Sequence, residues 1–231
     1  MAGAAIAENL ENIRARIAQA AGKSGREPAD VTLVAVSKTV GVDAMRRAIA
    51  AGVTVFGESY LQEARTKIPQ ITGPVRWDFI GHLQRNKVRH AVGLFEMIHS
   101  VDSLPLAQEI NLAAGKQGKK VRILVEINVS GETTKSGIVP EGTGSLIQDL
   151  ILLPHLSVEG LMTMAPYSDD PEDARPCFRA LKQLQDALHE RHGPALNLKE
   201  LSMGMSSDFE VAIEEGATLV RIGTAIFGER A

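Results

Sequence analysis

Eight short apolar runs, separated by segments of helix length, constrain this chain more than any other feature. The first, Val31-Thr32-Leu33-Val34-Ala35-Val36, is rich in β-branched residues and lacks polar alternation. A strand covered on both faces of a parallel sheet reads this way. Comparable runs recur at 53–56, 75–80, 95–99, 121–129, 156–162, 198–202 and 218–222. The segments between them carry helical signals and close on glycine: 43–51 before Gly52, 174–192 before Gly193, and 207–215 before Gly216. Alternation of this kind predicts parallel strands joined by crossover helices. Eight such units in 231 residues predict an α/β chain folded as a closed (β/α)8 TIM barrel. The third and fourth runs are the shortest support for it, and an open Rossmann-like sheet is the alternative.

Ile6, Leu10, Ile13 and Ile17 lie four, three and four residues apart, which predicts an extra N-terminal helix over about 5–21. Its apolar stripe can pack on its own barrel or on a neighbouring copy, so a monomer or a weak dimer is expected. No repeat or linker divides the sequence, and 1–231 reads as one domain. Hydrophobic residues at 44% supply a sizeable core, while a net charge of −3 argues against a nucleic-acid partner. The basic run Arg85-Asn86-Lys87-Val88-Arg89-His90 reads as a solvated helix face. Cys177 is the only cysteine, which excludes an internal disulfide and suits a reducing compartment. With no secretory leader pattern and no apolar run of membrane length, the expectation is a cytoplasmic protein that does not contact membrane. His189 and His192 share a helical face without a third ligand, so no metal is expected. Gly142-Thr143-Gly144 lacks a preceding strand and a third glycine, and reads as a loop.

Lys38 follows the first strand in Ala35-Val36-Ser37-Lys38-Thr39. At the C-terminal mouth of a barrel a lysine amine is partly withdrawn from water, the setting that Schiff-base chemistry uses. The plainer reading is a surface lysine closing a strand. After the seventh strand comes Ser202-Met203-Gly204-Met205-Ser206-Ser207-Asp208-Phe209-Glu210. Ser207 and Glu210 have capping-box spacing, which would leave the Ser206 hydroxyl and nearby amides to meet an anion. After the eighth comes Arg221-Ile222-Gly223-Thr224, where Gly223 permits close approach and Thr224 offers a hydroxyl and an amide. Barrels frequently bind phosphate with these two loops, and in a closed barrel strand eight lies beside strand one. A phosphate cup next to the Lys38 amine is the minimum that pyridoxal 5′-phosphate requires. Arg221 then has two readings: a partner for the cofactor ring nitrogen, or half of a structural ion pair.

Several stretches resemble the pyridoxal phosphate homeostasis proteins. They are Val34-Ala35-Val36-Ser37-Lys38, Phe56-Gly57-Glu58, Ile80-Gly81-His82-Leu83-Gln84-Arg85-Asn86-Lys87 and Lys135-Ser136-Gly137, followed by Gly160-Leu161-Met162, Ser202-Met203-Gly204-Met205-Ser206 and Arg221-Ile222-Gly223-Thr224-Ala225-Ile226-Phe227-Gly228. They run in order through nearly the whole chain. The resemblance implies a barrel like the N-terminal domain of alanine racemase, with an internal aldimine of pyridoxal phosphate on Lys38. It also implies that Arg221 faces the pyridine nitrogen and that Ser206, Gly223 and Thr224 surround the phosphate. One departure stands out: the family usually reads Gly-Glu-Asn-Tyr where this chain has Gly57-Glu58-Ser59-Tyr60.

What the resemblance implies for function is a non-catalytic carrier that buffers the cofactor, affects amino-acid and keto-acid balance, and has pyridoxal phosphate-dependent apoenzymes as candidate partners. An amino-acid racemase is the alternative. Racemases of this barrel class set a tyrosine from a second domain against the lysine, and this sequence ends at Ala231, directly after the eighth unit. Its two tyrosines, Tyr60 and Tyr167, fall on expected barrel loops. A paired acid and base on opposite faces is therefore not expected.

Overall fold

The computed structural model describes residues 2–132, 136–193 and 196–228, so Lys135 of the Lys135-Ser136-Gly137 stretch lies outside the described residues. Eight parallel strands pair in sequence order and the last returns to the first, closing a (β/α)8 barrel. They are β1 (Thr32–Val36), β2 (Val55–Glu58), β3 (Arg76–Phe79), β4 (Met97–Val101), β5 (Val121–Glu126), β6 (Leu156–Met162), β7 (Glu200–Ser202) and β8 (Leu219–Ile222). Outside them lie α1 (Ala2–Lys23), α2 (Val42–Ala50), α3 (Leu61–Lys67), α4 (Val88–Leu94) and α5 (Leu104–Lys116). They are followed by α6 (Pro140–Leu150), α7 (Arg175–His192), α8 (Phe209–Glu214) and α9 (Thr224–Phe227).

The short third and fourth runs do form strands, but several boundaries move for physical reasons. β2 extends through Gly57 to Glu58, beyond the expected 53–56. A Cβ on Gly57 would come within 2.9 Å of Val34 and of Ile80, so a residue that propensity assigns to a turn is here required by packing. β4 begins at Met97 because Phe95 closes α4, its N–H reaching the Ala91 carbonyl at 3.0 Å. Gly142-Thr143-Gly144 is not a loop: it lies in the first turns of α6, behind Pro140. The capping-box expectation also fails. α8 starts at Phe209 with Asp208 as its N-cap, and Glu210 pairs with Arg16 of α1.

Parallel register places partnered residues on one face, and successive residues alternate between interior and exterior. The mid-barrel layer is Val34, Val55, Met97, Leu124, Met162 and Leu219, all buried. Below it, Arg122 bonds Glu159, and the Thr218 hydroxyl bonds Glu200, closing the N-terminal end with paired polar groups. Above it, toward the strand C-termini, the interior turns polar: Asp78, His99, Glu126, Ser202 and Arg221 are all buried. The apolar stripe of α1 is turned onto the same molecule. Ile6, Leu10, Ile13 and Ile17 are buried as α1 packs across α2, α8 and α9.

Candidate functional site

A cavity of about 370 Å³ opens at the C-terminal ends of β1, β8 and their neighbours. Lys38, Ser206, Arg221, Gly223 and Thr224, from opposite ends of the sequence, all line it. Val36, Ile80, Met164 and Met205 give it apolar walls. Ser59, Ser207 and Tyr167 also line it. None of the described residues lining it is an aspartate or glutamate, while two of them are cations, so this donor set favours an anion.

The backbone on both sides of Lys38 is tied down. The Ser37 hydroxyl donates to Glu58 Oε1 at 2.7 Å, and Lys67 Nζ donates to the Ser37 carbonyl at 2.8 Å. Lys67 also reaches Glu58 at 3.2 Å and Glu63 at 2.6 Å. Glu63 in turn accepts the Thr39 N–H at 2.8 Å. Thr39 has φ of 62°, a left-handed conformation that a β-branched residue seldom adopts. It turns the chain abruptly out of β1, so that Lys38 meets the cavity mouth rather than continuing the strand. Burial pushes the Glu58 carboxyl up, against the hydrogen bond from Ser37 and the charge of Lys67.

Across the cavity, the loops after β7 and β8 converge. Ser206 Oγ accepts long bonds from the N–H groups of Gly223 at 3.4 Å and Ala225 at 3.3 Å. A hydroxyl accepting twice keeps its own hydrogen to donate. Ser207 is exposed and adds a further hydroxyl to this wall; α8 begins beyond it, at Phe209, with Asp208 at the N-cap position. The Asp208 side chain turns back from the helix instead, its Oδ1 accepting the Met205 N–H of the loop after β7.

Arg221 is buried, with Nη1 donating to Ser202 Oγ at 2.6 Å and Nη2 to the Thr163 carbonyl at 2.9 Å. Burial brings its guanidinium down to about 10, opposed by the charges of Asp208 and Glu126. These hydrogen-bond partners are a hydroxyl and a carbonyl rather than the carboxylate of a structural ion pair. From Ser202 its links continue through His99 and Asp78, residues that lie inside β4 and β3 and that no local sequence signal singled out. Among the described residues no group of three or more His, Cys, Asp or Glu is placed to hold a metal ion, and His189 and His192 fall in the last turn of α7.

A closed barrel with two cations in a cavity at its strand C-termini suits a barrel of the alanine racemase N-terminal-domain class, and the family described as "Alanine racemase, N-terminal domain" matches residues 5–231. Pyridoxal phosphate homeostasis proteins of Aquifex aeolicus and Pseudomonas aeruginosa are 45% and 43% identical to the chain. Those alignments cover 96% and 97% of this chain and 97% and 96% of the relatives. The solved structure of PipY from Synechococcus elongatus, with pyridoxal phosphate bound, is 35% identical with a TM-score of 0.85, covering 96% of this chain and all of that one. The chain belongs to the family of pyridoxal phosphate homeostasis proteins.

Proposed function

We propose that this chain holds pyridoxal 5′-phosphate in the cavity at the mouth of the barrel and acts as a carrier that buffers the cofactor in the cytoplasm. The observation that carries the reading is the donor set: an amine, a buried guanidinium and a hydroxyl-and-amide cradle around one cavity, with no carboxylate among its described lining residues. The cavity size falls within the range of small-ligand sites. The pyridoxal phosphate in PipY and the names of the relatives agree with it.

In this reading Ser206, Gly223 and Thr224 receive the phosphate through hydroxyl and amide hydrogens. Arg221 would donate to the ring nitrogen, and the apolar side chains of Val36, Ile80 and Met205 would hold the ring. Lys38 would hold the group through its amine at the cavity mouth. When bound, the group supplies an aldehyde that condenses with amines and a ring that acts as an electron sink. A guanidinium at the ring nitrogen keeps that nitrogen unprotonated, which weakens the sink and favours holding over turnover. Racemisation would need a second base in a dry, fixed position. Tyr167 lines the cavity, but its side chain is exposed and its hydroxyl donates to Asp169 at 3.2 Å.

Borohydride reduction followed by peptide mapping tests the site directly. The expected outcome is a reduced pyridoxyl group on Lys38 and a visible absorbance band that Lys38→Ala removes. Protein that stays colourless with added cofactor would overturn the binding reading; robust chiral turnover of an amino acid would overturn the carrier role.

A further inference from the structure

We infer that His99, acting with Asp78 and Ser202, is a positioning residue that sets how Arg221 meets the cofactor ring; this rests on the cofactor reading above. None of the three lines the cavity, so each acts through Arg221. They are contributed by β4, β3 and β7 to the polar upper layer of the barrel, and all three are fully buried.

Donor and acceptor accounting gives this cluster one direction. A guanidinium can only donate, so Arg221 Nη1 gives its hydrogen to Ser202 Oγ at 2.6 Å. The hydroxyl has one hydrogen of its own, and His99 Nδ1 lies 3.0 Å away to accept it. With Nδ1 accepting, the neutral ring carries its hydrogen on Nε2 and donates it to Asp78 Oδ2 at 3.2 Å. Asp78 Oδ2 also accepts from Arg76 Nη2 at 2.9 Å. Every bond from Arg221 to Asp78 therefore points the same way and ends on a carboxylate.

The opposite arrangement is disfavoured. A protonated His99 would place a third cation between Arg76 and Arg221 in a site without solvent. Burial lowers the imidazole's affinity for a proton, Asp78 opposes this, and the two guanidiniums reinforce it. Hydrogen bonds aligned head to tail polarise one another, so the Ser202 oxygen becomes a better acceptor than an isolated serine. The second tie, from Arg221 Nη2 to the Thr163 carbonyl, then fixes the guanidinium plane. With both η nitrogens held, Arg221 has a set orientation toward the cavity before any ligand arrives, which removes an ordering cost from binding.

The test compares His99→Leu, Ser202→Ala and His99→Gln as full-length proteins titrated with pyridoxal phosphate. Leucine breaks the chain at His99, and alanine breaks it at Ser202 with little change of volume. Glutamine can both accept from Ser202 and donate to Asp78. Expected are a shifted visible band and about tenfold weaker binding for the leucine and alanine variants, with glutamine recovering most of both. Leucine and alanine variants with the wild-type band and affinity would overturn the inference. A second measurement needs no cofactor: nitrogen chemical shifts of His99 in the wild-type protein should report a neutral ring with hydrogen on Nε2. An imidazolium at neutral pH would overturn the inference while leaving the cofactor reading standing. A wild type that binds no pyridoxal phosphate but shows the neutral ring would remove the cofactor reading, and with it the inferred role.

Discussion

Glu126 ends β5 almost wholly withdrawn from water, and burial together with the charge of Asp102 pushes its carboxyl up to about 7, against the pull of Arg221. The consequence for stability has a definite sign. Between the ordinary carboxyl range and about pH 7, the folded protein binds a proton that the unfolded chain has released. Stability from this group is therefore present at acid pH and lost as pH rises toward 7. Glu126→Gln should flatten that slope: urea midpoints measured at pH 5 and pH 8 should converge in the variant, with its advantage over wild type appearing at pH 8. An unchanged difference between the two midpoints would contradict it. The same polar layer shows what single residues could and could not announce. Lys38, Ser206, Gly223 and Thr224 follow strands and Arg221 lies near the end of β8, so their gathering at one cavity was legible from position, while the roles expected of them came from the family resemblance. His99 and Ser202 sit 103 residues apart in sequence, each at the end of a short run that reads only as a strand. Strands covered on both faces carry no alternation to show which face a lone polar residue takes. Ser207 misled for the opposite reason: its spacing to Glu210 fits a capping box, but the helix starts one residue later and Glu210 is held by Arg16 of α1.

At the scale of elements, α1 does more than lie on the surface. Its stripe is buried against α2, α8 and α9, and Asn9 Nδ2 donates to the Ile226 carbonyl at 3.0 Å. On the flank, Arg16 grips Glu210 through two nitrogens and stacks 4.6 Å above the Phe209 ring. The two kinds of contact should weigh differently. Leu10→Ala, at a position with no solvent exposure, should cost about 2–5 kcal/mol of unfolding free energy. Arg16→Ala, whose partner pair is partly exposed, should cost about 1 kcal/mol or less. Denaturant titration of both variants checks the order, and a larger loss for Arg16→Ala would show the salt bridge to be the stronger attachment. The helix was legible from its four apolar residues, but its destination was not: a stripe states that something covers it, without saying what. Element boundaries were harder still wherever packing outranked propensity, as at Gly57 and at the two glycines inside α6.

For the whole molecule, closure of the barrel depends on close backbone approach at a few points. Gly160 in β6 is one of them, because a Cβ there would stand 1.9 Å from the Glu200 carbonyl oxygen of β7. Backbone cannot yield as a flexible side chain does. Gly160→Ala should therefore lose about 3 kcal/mol or more, seen as a large drop in melting temperature and a broadened transition. A variant that melts with the wild type would show that β6 and β7 can separate without harm. The count and order of strands were legible because each crossover needs a segment of helix length, and only a closed sheet brings strand eight beside strand one. That same adjacency of β1 and β8 governs the order of events on the ribosome. Lys38 emerges early, but the loop bearing Gly223 and Thr224, and the helix on which α1 rests, are made last. A nascent chain thus exposes its lysine long before the opposite wall exists, and the cavity first assembles once synthesis is nearly finished.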